Sequence, residues 1–97
     1  MLAALCVLDL RIPGVTSLKE KRHVVKTLIA SLRQRFNVAV AEVDHQDLWQ
    51  RATLAVSAVS GEGHQVRRVM HEVERHVERF GSVEVIDSRL SFHGPDD

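Results

Sequence analysis

The amino-acid sequence predicts an α+β domain: one four-stranded antiparallel sheet carrying two helices on a single face. Three observations lead there. Apolar residues recur with period two in four segments and with helical period in two others. Turn-forming Pro, Gly and Asn separate those segments. The resulting order, β-α-β-β-α-β within 97 residues, suits the ferredoxin-like split β-α-β arrangement.

Leu2 to Ile12 reads as the first strand: Leu8, Leu10 and Ile12 alternate with Asp9 and Arg11, and the first half is apolar on both faces. Pro13-Gly14 supplies a turn, proline presetting φ and glycine allowing φ > 0. Ser17 to Phe36 reads as a helix opened by a capping box, Ser17 with Glu20 three residues on, each side chain satisfying an orphaned backbone N–H. Leu18, Val25, Leu28, Ile29, Leu32 and Phe36 share one arc of that helix. Asn37 is expected to end it in the left-handed conformation. Val38 to Asp44 and Ala52 to Ser60 read as strands flanking the loop His45 to Arg51, and Ser60-Gly61-Glu62-Gly63 as the next turn. A second helix, His64 to Phe80, shows an apolar face of Val66, Val69, Met70, Val73, Val77 and Phe80. Arg68, Glu72, Arg75 and Arg79 are expected on its charged outer face, and Gly81 stops it. Val83 to Phe92 forms the last strand. One domain is therefore expected over residues 1–93, with a flexible C-terminal tail at 94–97.

Composition narrows the function classes. Thirteen Lys and Arg balance thirteen Asp and Glu, so no global basicity announces nucleic acid, although a local basic stripe remains compatible with it. The six histidines mostly sit among charged residues and read as solvated. Cys6 is the single cysteine and lies in an apolar run, which leaves no disulfide framework or CxxC metal site and points to a buried, inert thiol. No segment approaches the roughly 20 apolar residues of a membrane span. With no cleavable leader evident, a cytoplasmic location is expected.

Chain direction then brings candidate residues together. Right-handed crossovers put both helices on one sheet face. If the first strand runs up, the start of helix one, the strand two–three loop and the end of helix two share the upper end. Ser17–Arg22, Glu42–Arg51 and Arg75–Phe80 are therefore expected as neighbours. Lys19, Arg22, Lys26 and Arg33 form a basic stripe along one flank of helix one, spread over about 21 Å at the helical rise, several phosphate spacings. A solvated face is the ordinary reading of such a stripe; phosphate contact in structured RNA is the sharper one, since no Glu interleaves it. Asp44, His45, Asp47 and Trp49 crowd the loop and are candidates for recognising a partner, with Trp49 either a lid over the core edge or a contact anchor.

Other chemistries fit less well. Strand alternation puts Glu42 and Asp44 on one face, within reach of a single cation, and His45 and Asp47 follow. Yet neither EF-hand nor HExxH spacing is present, and pairing of these carboxylates with Lys19, Arg22 or Arg51 is the plainer expectation. The turn Pro13-Gly14-Val15-Thr16 lacks the Gly-rich, arginine-bearing loop with which acylphosphatases of this architecture hold anions. Base stacking on sheet aromatics is disfavoured too: there is no tyrosine, and Phe92, alternating with Ile86 and Leu90, reads as core. Outward-facing Ala39, Ala41, Ala55 and Ser57, with a first strand apolar on both sides, suggest that a second copy covers the open sheet face.

The run Ser17-Leu18-Lys19-Glu20-Lys21-Arg22 after a Pro-Gly turn, followed by Arg35-Phe36-Asn37-Val38-Ala39-Val40-Ala41-Glu42-Val43-Asp44-His45-Gln46-Asp47-Leu48-Trp49-Gln50-Arg51-Ala52, resembles the YlxP-like family of small bacterial proteins of unknown function. The resemblance covers about residues 2 to 92 and implies the ferredoxin-like fold. Genes of that family commonly lie near those for translation initiation factor two and a ribosome-binding factor, which implies a role around translation or ribosome assembly. No catalytic residue comes with the resemblance. The expectation is thus a non-enzymatic binding module for structured RNA or a ribosome-associated partner, without cofactor, metal or catalytic residue. Two alternatives stand beside it: a homodimeric protein-interaction module, and a small metal-dependent or acid/base enzyme using Glu42, Asp44, His45 and Asp47.

Overall fold

Ten residues from Leu2 to Arg11 form β1, and their alternation decides the whole architecture. Ala4, Cys6, Leu8 and Leu10 are buried beneath the helices, whereas Ala3, Leu5, Val7 and Asp9 take the opposite face. The computed structural model describes residues 1–96 and orders them β1, α1 (Leu18–Arg35), β2 (Ala39–Asp44), β3 (Arg51–Ser60), α2 (Gly63–Glu78) and β4 (Glu84–His93). The sheet runs β2-β3-β1-β4, all pairs antiparallel. This is the expected ferredoxin-like fold, with every element within two residues of its sequence-based bounds. Asp97, the last residue of the expected tail, lies outside the described residues.

The core lies between the helices and one sheet face. Leu10 pairs with Ala52, Leu8 with Leu54 and Cys6 with Val56 across β1 and β3, and all six side chains are buried. Val25, Leu28 and Leu32 of α1 and Val66, Met70, Val73 and Val77 of α2 close over them. Cys6 is fully buried as expected, and burial pushes its thiol up from the ordinary range, which disfavours the thiolate. Phe92 packs against the core with the Arg67 guanidinium 4.9 Å from its ring centre.

Three local details depart from expectation. Ser17 Oγ accepts from Glu20 N at 3.1 Å as a capping box requires, but the Glu20 carboxylate reaches Thr16, accepting from its N–H at 3.0 Å, rather than Ser17. Second, α1 ends on Phe36 in extended conformation, so Asn37 provides no left-handed cap; among the described residues His45 is the one non-glycine with positive φ, at 60°. Gly81 likewise is not left-handed, and α2 is capped by Arg79.

The third departure concerns how the helices lie along one another. Ser31 Oγ meets His76 Nε2 at 2.5 Å, and the Phe36 ring stands edge-on to the His76 ring at 5.8 Å. The last turns of α1 therefore lie beside the C-terminal half of α2, not beyond it. Arg75, His76 and Arg79 thus adjoin Arg35 and Phe36, although α2 runs toward the pole where α1 begins, since Glu84 soon after it pairs with Arg11. Staggering of two long antiparallel helices is set by which side chains interdigitate, and strand direction alone does not specify it.

Candidate functional site

The first turn of α1 and the β2–β3 hairpin tip meet through one side chain. Lys21 falls three residues after Leu18 and four before Val25, on the apolar arc, so its stem is drawn into the core and its residue surface is 0% exposed. A buried ammonium needs acceptors for three protons. Lys21 Nζ finds them in Glu42 Oε2 at 2.5 Å, His45 O at 2.9 Å and Gln46 O at 3.4 Å. Glu42 is itself mostly covered. The carboxylate partner is thus Lys21, not Lys19, Arg22 or Arg51 as the sequence suggested.

Holding His45 by its carbonyl goes with an unusual backbone. At φ 60° it sits in the left-handed region, where Asp44 Oδ1 accepts from its N–H at 2.7 Å and its carbonyl also accepts from Leu48 N at 3.1 Å. The turn aims the imidazole across the open sheet face. Thr53 Oγ1 donates to Asp9 Oδ1 at 2.8 Å, so its lone pair accepts from His45 Nδ1, 2.8 Å away. That network places a proton on Nδ1 and holds the ring in one orientation. His45 is hence fixed rather than solvated. Arg51, on the same β3 face as Thr53, adjoins it with a buried Nε that has no hydrogen-bond partner.

Glu42 and Asp44 do not converge. The β2–β3 register shifts between them, and this bulge breaks the alternation that would have put both carboxylates on one face. Glu42 turns toward α1 while Asp44 caps its own loop. Among the described residues no three His, Cys, Asp or Glu side chains group in a way that would hold a metal ion. Asp47, Leu48, Trp49, Gln50 and Arg51 line an open apolar hollow at the hairpin tip, with Trp49 half-exposed; it does not lie over the core edge.

Lys19, Arg22 and Lys26 are exposed and, among the described residues, form no ion pair. Arg33 is also exposed but donates through Nη2 to Val40 O at 2.8 Å, covering the outer edge of β2. The stripe therefore runs beside the edge strand. Charge segregates on a larger scale as well. Ten of the thirteen Lys and Arg lie on α1, α2 and their cap residues, with five carboxylates; the other three share the rest of the chain with eight. A neutral chain is thus folded into a helix layer with an excess of five positive charges, while the other described residues, in the sheet and loops, carry an excess of four negative ones.

The opposite sheet face is apolar and small. Leu5, Ala39, Val40, Ala41, Ala55 and Ser57 line a shallow groove of about 200 Å³, and Val59 nearby is 68% exposed. Along β4 the charges pair locally, Arg89 with Asp87 at 3.6 Å and Arg11 with Glu84 at 4.0 Å. No helix is long and apolar enough to cross a membrane among the described residues.

Comparison with known proteins matches residues 3–90 to a family described as "Protein of unknown function (DUF503)". The uncharacterized protein YlxP of Bacillus subtilis (strain 168) is 35% identical over 68 residues, 70% of this chain and 74% of that protein. Among solved structures, a putative chlorite dismutase superposes with a TM-score of 0.60 at 10% identity, covering 99% of this chain and 46% of that one. A cofactor-independent oxygenase from Streptomyces nogalater gives 0.54 at 10% identity, covering 95% and 91%. A C-terminal segment of the aIF2 alpha subunit from Pyrococcus abyssi gives 0.52 at 9%, covering 96% and 52%. At such identities the likeness is one of fold.

Proposed function

The chain belongs to the DUF503 family, whose description assigns no activity, and from its geometry we propose a non-enzymatic binding module that contacts the phosphates of structured RNA around translation or ribosome assembly. The observation that carries this is the cationic helix layer. Its most accessible part is the α1 flank of Lys19, Arg22 and Lys26, whose charges no carboxylate neutralises among the described residues. Arg33 continues that flank with guanidinium donors left over after its bond to Val40. Side chains along a helix flank can follow a phosphate backbone without reading bases, which suits shape recognition of folded RNA. Asp44, His45, Asp47 and Trp49 at the adjoining hairpin tip offer a separate surface for a protein partner, with Trp49 the anchor.

Binding of a structured RNA should weaken steeply with salt. Lys19→Glu with Arg22→Glu should lower affinity more than tenfold and reduce the log–log salt slope by about 1.4–1.8, at 0.7–0.9 per phosphate contact. An unchanged slope and affinity in that variant would end the phosphate reading.

A second reading is favoured by the open sheet face. Its small side chains, exposed Leu5 and Val59, and locally neutralised charges along β4 suit a second copy of the chain packing sheet on sheet. The two readings are compatible, because the helices face away from that surface.

A further inference from the structure

We propose that the cleft between the C-terminal turns of the two helices is a site for a doubly charged terminal phosphate, the group shared by free nucleotides and a 5′-phosphorylated RNA end. The cleft encloses about 390 Å³ and is lined by Arg35 and Phe36 at the end of α1 and by Glu72, Arg75, His76 and Arg79 of α2. Three guanidiniums thus face one volume against a single carboxylate. Among the described residues none of the three forms an ion pair. Arg35 lies 5.9 Å from the centre of the Phe36 ring, and among the described residues no side-chain hydrogen bond occupies its fork.

Cations at a helix C-terminus also complement the helix dipole. That accounts for one arginine at each end, yet not for arginines of two helices converging on one hollow. Like charges gathered around a shared space are relieved by a ligand of opposite sign, and the planar guanidinium matches pairs of phosphate oxygens. The volume falls within the range of small-molecule sites.

His76 supplies a second signature. Its Nε2 is held by Ser31 Oγ at 2.5 Å, leaving Nδ1 as the ring nitrogen available to a ligand. Burial and then the neighbouring Arg35 charge hold the imidazole below its ordinary range. The groups around it are Ser31 and Arg35 from α1, and Glu72, Arg75 and Arg79 from α2. A dianion beside Arg35 offsets the field that disfavours the imidazolium, so binding should draw a proton onto His76. Contact through Lys19 and Arg22 is not required, and the two sites can fail separately.

The test is titration of the full chain with inorganic pyrophosphate at constant ionic strength, following the His76 ring by NMR and heat by calorimetry. Saturable binding is expected, with the midpoint of His76 titration moving to higher pH. Arg75→Ala with Arg79→Ala should weaken it at least tenfold, Arg35→Ala should weaken it similarly from the other helix, and Arg68→Ala on the outer face of α2 should not. A nucleoside diphosphate competing at lower concentration than pyrophosphate assigns the site to free nucleotides. An RNA competing only when 5′-phosphorylated assigns it to strand ends. Absence of saturation at millimolar pyrophosphate, an unmoved His76 titration, or equal weakening by Arg68→Ala would each overturn the proposal.

Discussion

Glu42→Gln isolates the interaction that joins α1 to the hairpin tip. The glutamine keeps an oxygen for Lys21 Nζ and nearly the same volume, but removes the charge opposite an ammonium that is 0% exposed. If the pair were a surface contact, its loss would cost about 0–1 kcal/mol. Breaking a buried pair so that one charge stays behind costs about 3–5 kcal/mol. Because two carbonyls, His45 O and Gln46 O, remain as acceptors, the lower end of that range, about 3 kcal/mol, is expected. In a domain near 100 residues this corresponds to roughly 12–24 °C in Tm, a large share of a typical total stability. Urea unfolding followed by circular dichroism measures it, with the denaturant slope unchanged. Lys21→Met retains the stem and removes the buried charge, leaving Glu42 free to turn toward water, so it should cost less. The double variant should then be at least about 1 kcal/mol more stable than Glu42→Gln alone, because no uncompensated charge is left. Trp49, half-exposed in the same hairpin, reports local opening by fluorescence. A loss below about 1 kcal/mol in Glu42→Gln, or a double variant no better than the single, would refute the buried-pair account.

Three further outcomes follow from neighbouring features. At His45, Gly relieves a left-handed backbone worth about 1–2 kcal/mol while losing one hydrogen bond worth about 1 kcal/mol, so His45→Gly should be near neutral in denaturant unfolding. His45→Val loses the bond and strains a β-branched residue at positive φ, and should be clearly destabilising. The pH dependence at His76 has a definite sign: the folded group titrates below the unfolded value near 6.5, so the unfolded chain takes up the proton first. Its contribution is present above that pH and is lost as pH falls from there toward the folded value; a His76→Gln variant should show a flatter stability profile across this acid window. Finally, Val59→Glu on the open sheet face should abolish any concentration-dependent self-association in sedimentation equilibrium, and a wild-type chain that stays monomeric at high micromolar concentration removes the sheet-face dimer.

Much of the fold was legible because local signals agreed. The period-two run Leu8 to Ile12, the helical arcs of α1 and α2 and the turns at Pro13-Gly14 and Gly61 each admit one element type, and β-α-β-β-α-β order leaves few topologies once crossovers are right-handed. The meeting of Ser17–Arg22 with Glu42–Arg51 followed from chain direction alone. The partner within that meeting did not. Lys21 sits on the arc Leu18, Val25, Leu28, Leu32, and a lysine at a core position was the available signal, since a buried lysine demands a counter-charge. The segregation of charge onto the helices was also countable, once the helix bounds were drawn.

What the sequence determined by itself is therefore the set of elements, their order, and the pole where the hairpin meets α1, because periodicity, caps and handedness act locally or through topology. Only the tertiary structure decided that a bulge turns Glu42 away from Asp44, that His45 leans on Thr53, and that three arginines of staggered helices converge on one cleft. These depend on register and on how side chains interdigitate, which are settled by packing across the whole core and leave no mark on a single segment.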